Sequence, residues 1–417
     1  MTAVVDKETL RKQLWGFVPQ TKELLLEMIA CPSISGNEAD VLALLDRKWK
    51  SAGFPVRRHP VPETIKSDPE YAHLESDLKY DGRDNLEVCI EGEKTGRSVI
   101  INTHVDVVPP HQWPEAFQPR TDGDWIFGRG ACDAKGCVAT MYLAARAMEI
   151  LGIRPGGDVI FQMVIEEEAG GNGSLARIRQ GSRADGVVVL EPTDLALHPA
   201  NRGAIWFRFE FEGKPCHMGR KEAGINAIDL AREVIDILYR YEQELVRDGE
   251  DQPLFAHYRL PAQVNIGILH GGELPSIVAG SAVMEGGIGF LPNRPMAQVK
   301  EDVVSRIEAQ GSKELKHRYR LTFPRLHNDS FETPIGHPLV QTFHSAAKET
   351  EAQDEITGWN VSCDARLFSR IGNMPTVVFG PGRIEDAHSA TERVHLADMV
   401  TAAETLIRFI EKWCTPV

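Results

Sequence analysis

Five short segments of this 417-residue chain place metal-binding or proton-transferring side chains beside apolar runs of strand length. The candidates are His104 and Asp106 beyond "VIIN", Glu166, Glu167 and Glu168 after "VIFQMVI", Glu191 after "VVVL", His388 beyond "PTVVFGPG", and Asp133 in "FGRGACDAKG". Two histidines with several carboxylates suit zinc, cobalt or manganese, whereas calcium does not favour imidazole. The residue types therefore indicate a transition-metal site.

The spacing of these residues has a chemical reason. Residues i and i+2 of a strand share a face, so Asp106 can hydrogen-bond the ring nitrogen of His104 that a metal leaves free. Asp133 lies on a glycine-flanked turn, where a carboxylate can present both oxygens and bridge two ions. Two neighbouring ions lower the pKa of a bridging water and polarise a substrate carbonyl. We therefore expect metal-assisted hydrolysis at this site.

Each segment taken alone also has a plainer interpretation. Glu166 to Glu168 would suit a solvated loop, Asp133 an ordinary helix cap and Glu191 a turn before proline. Together they favour function, because all of them are predicted to lie at the same edge of one sheet. Cys132 and Cys137 flank Asp133, but no second cysteine pair answers them, so we interpret them as packing residues.

The elements that position these residues are those of an α/β protein. Apolar strand-length runs such as "SVIINTH", "DVIFQMVI" and "GVVVL" alternate with helical patterns such as "GCVATMYLAARAMEILG", which predicts a mostly parallel sheet covered by helices. In such sheets the working site lies beyond the carboxyl ends of the strands. The amino-terminal segment is predicted to form helices that break near Pro19.

The middle of the chain has a different pattern. From "IWFRFEFEG" onward the order is strand, helix, two strands, helix, strand, which predicts a small α+β unit. The simplest account is a catalytic α/β domain interrupted by an inserted lid. We predict catalytic segments at 1–199 and 326–417 and a lid domain at 200–325.

Composition narrows the range of partners. The formal net charge of −14 argues against nucleic acid and anionic membranes as partners, because both need a basic face. No apolar run approaches the length of a transmembrane helix, and the amino-terminal residues turn charged too soon for a signal peptide. Seven scattered cysteines suit reduced thiols, so we expect a cytoplasmic protein.

Five motifs, in order, resemble those of the M20 metallopeptidases, in the acetylornithine deacetylase and succinyl-diaminopimelate desuccinylase branch. They are "THVDVVPP", "FQPRTDGDWIFGRGACDAKG", "EEEAGGNGS", "LEPT" and "GPGRIEDAHSATERV", and the match runs from about residue 80 to 395. The resemblance implies a zinc-peptidase-like catalytic domain with an inserted lid that mediates dimerisation. It also implies two divalent ions, zinc first, with cobalt or manganese as alternatives.

The resemblance carries roles to single residues. One ion would be held by His104, Asp133 and Glu191, and the other by Asp133, Glu168 and His388. Glu167 would be the general base toward a water held between the ions, with Asp106 orienting His104. On the lid, His217 in "GKPCHMGR" would donate to the oxyanion of a partner subunit's site. Substrate contacts are expected from Arg366, Ser276 and Asn226, with a surface ion pair to Asp364 as the alternative for Arg366.

The sequence also departs from the family pattern. Ala134 replaces the usual methionine after Asp133, Ser276 stands at the lid's usual asparagine, and Gly289 at the lid strand's usual arginine. The expected reaction is hydrolysis of the amide of an N-acetyl, N-formyl or N-succinyl amino acid or related small amine. A dipeptidase or carboxypeptidase of the same family remains open, as does a non-catalytic metal-binding protein.

A nicotinamide oxidoreductase is excluded by the glycine pattern. That class needs G-x-G-x-x-G directly after the first strand, opening a helix. The glycines at 170, 171 and 173 lack this spacing and follow three glutamates that would repel a pyrophosphate.

Overall fold

The computed structural model describes residues 5–72 and 78–415, so the outermost ends of the predicted catalytic segments and residues 73–77 lie outside the described residues. The helices in this part of the chain are α1 (Lys7–Ile29), α2 (Ala39–Ser51), α3 (Lys135–Ile150), α4 (Asn172–Arg179), α5 (Ala227–Gly249), α6 (Met296–Gln310), α7 (Lys313–Lys316), α8 (Pro338–Ala347), α9 (Ala365–Arg370) and α10 (Leu396–Trp413). The strands are β1 (Val56–Pro60), β2 (Asp84–Ile90), β3 (Val99–His104), β4 (Arg120–Asp122), β5 (Trp125–Phe127), β6 (Val159–Val164), β7 (Val187–Leu190), β8 (Leu197–Asn201), β9 (Gly203–Glu212), β10 (Gln263–Gly271), β11 (Ser281–Phe290), β12 (Tyr319–Thr322), β13 (His327–Asn328), β14 (Phe331–Glu332), β15 (Ile356–Trp359), β16 (Thr376–Phe379) and β17 (Arg393–His395).

The central sheet has the order β1-β2-β6-β3-β7-β16-β8-β14, with β15 paired to β8. Its four middle strands, β6, β3, β7 and β16, run parallel, which confirms the predicted α/β class. These strands are apolar and almost entirely buried, as parallel strands between helices are. Their carboxyl ends therefore meet at one edge, directly before the segments that carry the candidate residues.

Helix α1 runs unbroken through Pro19, so the predicted break there is wrong. Proline removes one backbone donor and normally kinks or ends a helix. Here the buried residues on both sides of it, among them Leu14 and Leu25, join the same core cluster. Because tertiary packing supplies most of the stability of a helix in a protein, it outweighs the one lost hydrogen bond.

A second, antiparallel sheet has the order β10-β11-β9-β12, with β13 paired to β9. The elements β9, α5, β10, β11, α6 and β12 follow in the predicted order of the α+β unit. Alternate residues of β9, such as Phe207 and Phe209, are buried in a core shared with α5 and α6. We call residues 203–328 the lid region; the domain boundaries given above stay a prediction.

None of the helices within residues 5–72 and 78–415 has the length and apolarity needed to cross a bilayer. All seven cysteines are free thiols, and Cys132 and Cys137 are buried.

Candidate metal centre

The five predicted metal ligands lie together at the carboxyl edge of the central sheet. His104 ends β3, and its Nε2 lies 3.1 Å from Asp133 Oδ1 and 3.9 Å from Glu191 Oε2. His388 Nε2 lies 3.2 Å from Asp133 Oδ2 and 3.2 Å from Glu168 Oε1. Ligand atoms of His104, Asp133 and Glu168 all fall within 4.8 Å of one another. Asp133 thus turns one carboxylate oxygen to each histidine.

The carboxylate of Asp106 organises the loop that carries the acids. Its Oδ1 lies 3.4 Å from His104 Nδ1, and the backbone carbonyl of Asp106 is closer, at 2.9 Å. The same carboxylate accepts hydrogen bonds from the backbone N–H groups of Glu167 at 3.1 Å and Glu168 at 3.2 Å. It also accepts one from the Ser35 hydroxyl at 2.8 Å. Asp106 therefore holds both the histidine ring and the two adjacent glutamates in place.

The electrostatics of the cluster favour a cation. Burial raises the pKa of Glu167 and of Glu191, and neighbouring carboxylates add to the effect. Burial opposes charge on His104, but the carboxylates of Asp106 and Asp133 outweigh it and raise the pKa of the ring. Glu191 Oε1 is buried and has no hydrogen-bond partner among the described residues. Nitrogen and oxygen donors converging on one place, with an unsatisfied carboxylate oxygen among them, fit a divalent transition metal.

A glutamate outside the predicted set holds the turn that carries Asp133. Glu392 Oε1 accepts hydrogen bonds from the backbone N–H groups of Gly130, Cys132 and Asp133, at 2.8, 3.3 and 3.2 Å. Its other oxygen pairs with the buried Arg129. Burial raises the pKa of Glu392 to about 7. The sequence places it in "SATERV", where a glutamate next to an arginine is typical of a solvated surface.

Glu166 points away from the site and anchors the loop from inside. Its φ of 61° lies in the left-handed region, which costs a non-glycine residue energy and needs surrounding contacts to persist. Those contacts are the guanidinium of Arg83, the hydroxyl of Tyr80, and Asn172 Nδ2 at 2.9 Å. Arg83 also pairs with Glu38 at 2.6 Å, so one buried cation joins two buried carboxylates.

Replacing Arg83 with methionine is expected to lower the free energy of unfolding by about 3–5 kcal/mol, because two carboxylates lose their buried counter-ion. Urea denaturation followed by circular dichroism measures the change. Arg57→Met is the matched control, since Arg57 is exposed on β1, and its effect is expected to stay within about 0.5 kcal/mol. A loss below about 1 kcal/mol for Arg83→Met would contradict this account of the network.

The three predicted lid residues lie in the lid region. His217 is exposed, and its Nδ1 accepts from the backbone N–H of Gly219 at 3.1 Å. The carbonyl of Ser276 accepts from Met218 N at 2.9 Å, and His217 forms a bridge with Ile277, so His217 and Ser276 are neighbours. Asn226 caps α5 through a 2.9 Å hydrogen bond from Ile228 N. Within the described residues, none of these three lid residues forms a hydrogen bond or ion pair with the metal-ligand cluster.

Arg366 is buried in the catalytic part rather than exposed. Arg366 and Asp364 are each 2% exposed, so the alternative of a surface ion pair between them is wrong. Both lie at the start of α9, which packs against the sheet, and this is why they are covered. Arg366 Nη2 donates to the carbonyl of Gly170 at 2.9 Å, close after the glutamate triplet. Substrate binding by Arg366 stays a prediction.

A family model described as "Peptidase family M20/M25/M40" matches residues 100–412. The chain is 26% identical over 371 residues to an N-formyl-4-amino-5-aminomethyl-2-methylpyrimidine deformylase of Bacillus subtilis, covering 81% of this chain and 84% of the relative. It is 26% identical over 421 residues to an acetylornithine deacetylase of Photorhabdus laumondii, covering 95% of this chain and 98% of the relative.

Solved structures share the fold. A tripeptidase from Staphylococcus aureus superposes with a TM-score of 0.73 at 19% identity, covering 94% of this chain and 98% of the other. A Bacillus subtilis protein described as a dinuclear metal-binding peptidase of the M20 family superposes with a TM-score of 0.67 at 15% identity, covering 96% and 99%.

Proposed function

This chain belongs to peptidase family M20/M25/M40, whose members are metal-dependent hydrolases, and we propose that it removes a formyl, acetyl or succinyl group from the nitrogen of a small amino acid or related amine. Relatives named as a deformylase and a deacetylase support a deacylase, which is an amide hydrolase. The proposed cofactors are two divalent ions, zinc first, with cobalt or manganese as alternatives.

The observation that carries this proposal is the cluster around Asp133. We assign His104, Asp133 and Glu191 to one ion and Asp133, Glu168 and His388 to the other. The carboxylate of Asp133 supports this assignment, because it turns Oδ1 toward His104 and Oδ2 toward His388. Exposure differs across the site, from 1% for the His104 side chain to 52% for that of His388. Substrate would therefore approach from the side of His388.

When bound, the two ions would polarise the amide carbonyl and lower the pKa of water. Glu167 would accept a proton from the attacking water and pass it to the nitrogen of the departing amine. Its carboxylate suits this role because burial raises its pKa, which helps it hold the proton between the two transfers. The N–H of Glu167 is bonded to Asp106, so the base keeps its place relative to His104.

We propose that the active form is a homodimer assembled through the lid region. Strand β10 lies at the end of the lid sheet, and its Ile268 and Leu269 are 44% and 42% exposed. An edge strand with exposed apolar side chains is a template for pairing with another chain. His217, exposed on the same region, would then reach the partner's site as an oxyanion donor.

Mixing two inactive variants tests the dimer and His217 together. His217→Ala is expected to lower kcat by about 10²–10³-fold through loss of an oxyanion donor. Glu167→Gln removes the base. Co-expressed in equal amounts, the two variants should recover about a quarter of the wild-type activity, because half of the dimers are mixed and each has one intact site. If His217 acts within its own subunit, the mixture stays inactive.

The proposed reaction is tested by amine release from N-formyl, N-acetyl and N-succinyl amino acids and from dipeptides, with added zinc, cobalt or manganese. Glu167→Gln is the blank. A dipeptidase or carboxypeptidase of the same family is the second candidate, and the best substrate in the panel separates the two. If the protein binds two metals but releases no amine from any substrate, the result would favour the alternative of a non-catalytic metal-binding protein.

We further propose a cytoplasmic protein that acts on small molecules. Seven free thiols and no disulfide suit a reducing compartment. The net charge of −14 gives it no general affinity for nucleic acid or anionic lipid.

A further inference from the structure

A cavity of about 480 Å³ lies against the lid sheet, on the face opposite the lid's core. Along β9 the residues alternate, with Phe207 and Phe209 in the core and Ala204 and Trp206 only half buried. Ala204 and Trp206 line the cavity. The lid therefore has one face closed by helices and one that forms a pocket.

The floor of this cavity is bare backbone. Gly287 of β11 lies between Trp206 on β9 and Asn265 on β10, and Gly289 lies between Ala204 and Gln263. In two successive rungs of the sheet, the middle strand thus has no side chain on this face. The two glycines thus form the floor of a trough. Trp206 forms one wall, and the side chains of Asn265 and Gln263 form the other. A flat ring can lie on such a floor beside an indole.

One end of the trough carries an uncompensated positive charge. A Cβ at Gly289 would lie 2.9 Å from Arg202 Nε, so the Arg202 side chain covers that glycine. Burial lowers the pKa of Arg202, and within the described residues no carboxylate pairs with it. Arg325 also lines the cavity without an acidic partner in the described chain. The remaining charged residue in the lining, Glu285, is balanced by an ion pair with Arg208.

The cavity is joined to the catalytic part through Arg202. This residue directly follows β8, and its N–H donates to the carbonyl of Trp359 on β15 at 3.0 Å. The preceding Asn201 reaches the thiol of Cys363 at 3.7 Å. Burial raises the pKa of the Cys363 thiol, and the carboxylates of Glu191 and Glu167 add to the effect. The charged end of the trough is therefore hydrogen-bonded, through the backbone of Arg202, to strand β15 of the catalytic part.

We propose that this trough binds a planar, carboxylate-bearing group of the substrate, so that the preferred substrate is an N-acyl amine that carries an aromatic or heteroaromatic carboxylate. The inference rests on the proposed function and adds the chemical class of the group that the substrate carries in addition to its amide. Arg202 donates two hydrogen bonds to the carboxylate, as a guanidinium fork does. The ring lies on Gly287 beside Trp206, and the amides of Asn265 and Gln263 offer hydrogen bonds at its edge.

Benzoate is the probe, and isothermal titration calorimetry with the metal-loaded dimer or monomer, whichever is purified, is the measurement. Arg202→Met removes the charge, and Gly287→Val fills the trough; a Cβ there would meet its nearest atoms at 3.5 Å, so the backbone tolerates it. Each substitution is expected to raise the Kd of benzoate by about tenfold or more. Arg320→Met, an arginine 75% exposed on the same region, is the control and is expected to stay within about twofold.

Two further probes separate charge from shape. Benzamide keeps the ring without the charge, and cyclohexanecarboxylate keeps the charge without the flat ring. Both are expected to bind at least about tenfold more weakly than benzoate. Equal binding of cyclohexanecarboxylate would overturn the planar class, and equal binding of benzamide would overturn the anionic one. Benzoate held at the metals instead would bind equally to wild type, Arg202→Met and Gly287→Val, which overturns the proposal.

The outcome for this inference is separable from that for the proposed function. Suppose that simple N-acyl amines are hydrolysed and that the Kd of benzoate is unchanged by both substitutions. The proposed hydrolase activity would then be supported, and the proposed role of the trough would be wrong. Benzoate binding that depends on Arg202 and Gly287, with no amide hydrolysed, would do the reverse. Circular dichroism of both variants checks folding. Arg202 lies between β8 and β9 whereas Gly287 lies on β11, so a folding defect in one variant leaves the other informative.

Discussion

Glutamine in place of Glu167 is expected to lower kcat by about 10³-fold while both metals stay bound. The amide has nearly the shape of the carboxylate but cannot accept a proton from water. Glu167 is partly buried next to the cluster, and the contacts that join the two histidines run through Asp133, Glu168 and Glu191 rather than through it. Removing the base should therefore spare the ligands.

The neighbouring position supplies the contrast. Glu168 Oε1 lies 3.2 Å from His388 Nε2, so Glu168→Gln is expected to lose one of the two metals as well as activity. Metal content by inductively coupled plasma mass spectrometry and steady-state kinetics distinguish the variants. Loss of metal in Glu167→Gln would make that residue a ligand, and activity within about tenfold of wild type would place the base elsewhere.

The candidate residues could be found from sequence because of a property of parallel sheets. Strands β3, β6, β7 and β16 are short, apolar and buried, so the sequence shows where each of them ends. Because the strands are parallel, their carboxyl ends lie at the same edge of the sheet. His104 is the last residue of β3, and the glutamates after β6 and Glu191 follow their strand ends within a few residues. Local signals therefore suffice to group side chains that are far apart in the chain.

The contacts that hold those residues in place are not local, and sequence reasoning missed them. Arg83 meets Glu166 across 83 residues, and Arg129 meets Glu392 across 263. The sequence around a single charged residue does not indicate which distant residue will be its buried partner. Pro19 shows the same limit for helices, because the packing that keeps α1 intact comes from elsewhere in the fold.

The lid illustrates a third case, in which the sequence shows a change whose meaning depends on strand register. Gly289 is visible as a departure from the family pattern. Only the pairing of β11 with β9 and β10 shows that Gly287 and Gly289 lie on one face, and only the packing shows Arg202 over the second of them. A glycine in a strand can therefore be recognised as part of a pocket only after the residues that surround it in the sheet are known.

Replacing Asp133 with asparagine is expected to remove both metals and to lower kcat/KM by roughly 10³-fold or more. Its two carboxylate oxygens face different histidines, at 3.1 Å from His104 and 3.2 Å from His388. Asparagine offers one uncharged acceptor oxygen and turns an NH₂ group toward the other histidine, so one ion loses a donor and the other keeps only a weaker, neutral one. Replacing Glu191, which faces only His104, should remove a single ion.

Metal content after dialysis and the shift in Tm on adding zinc test this expectation. Zinc that binds only the folded protein raises Tm, and the shift should be large for wild type and absent for Asp133→Asn. Asp122→Asn, an exposed aspartate on β4, is the matched control and should behave as wild type. Two metals retained by Asp133→Asn would show that neither ion depends on the Asp133 carboxylate, and the assignment of a shared ligand would then be wrong.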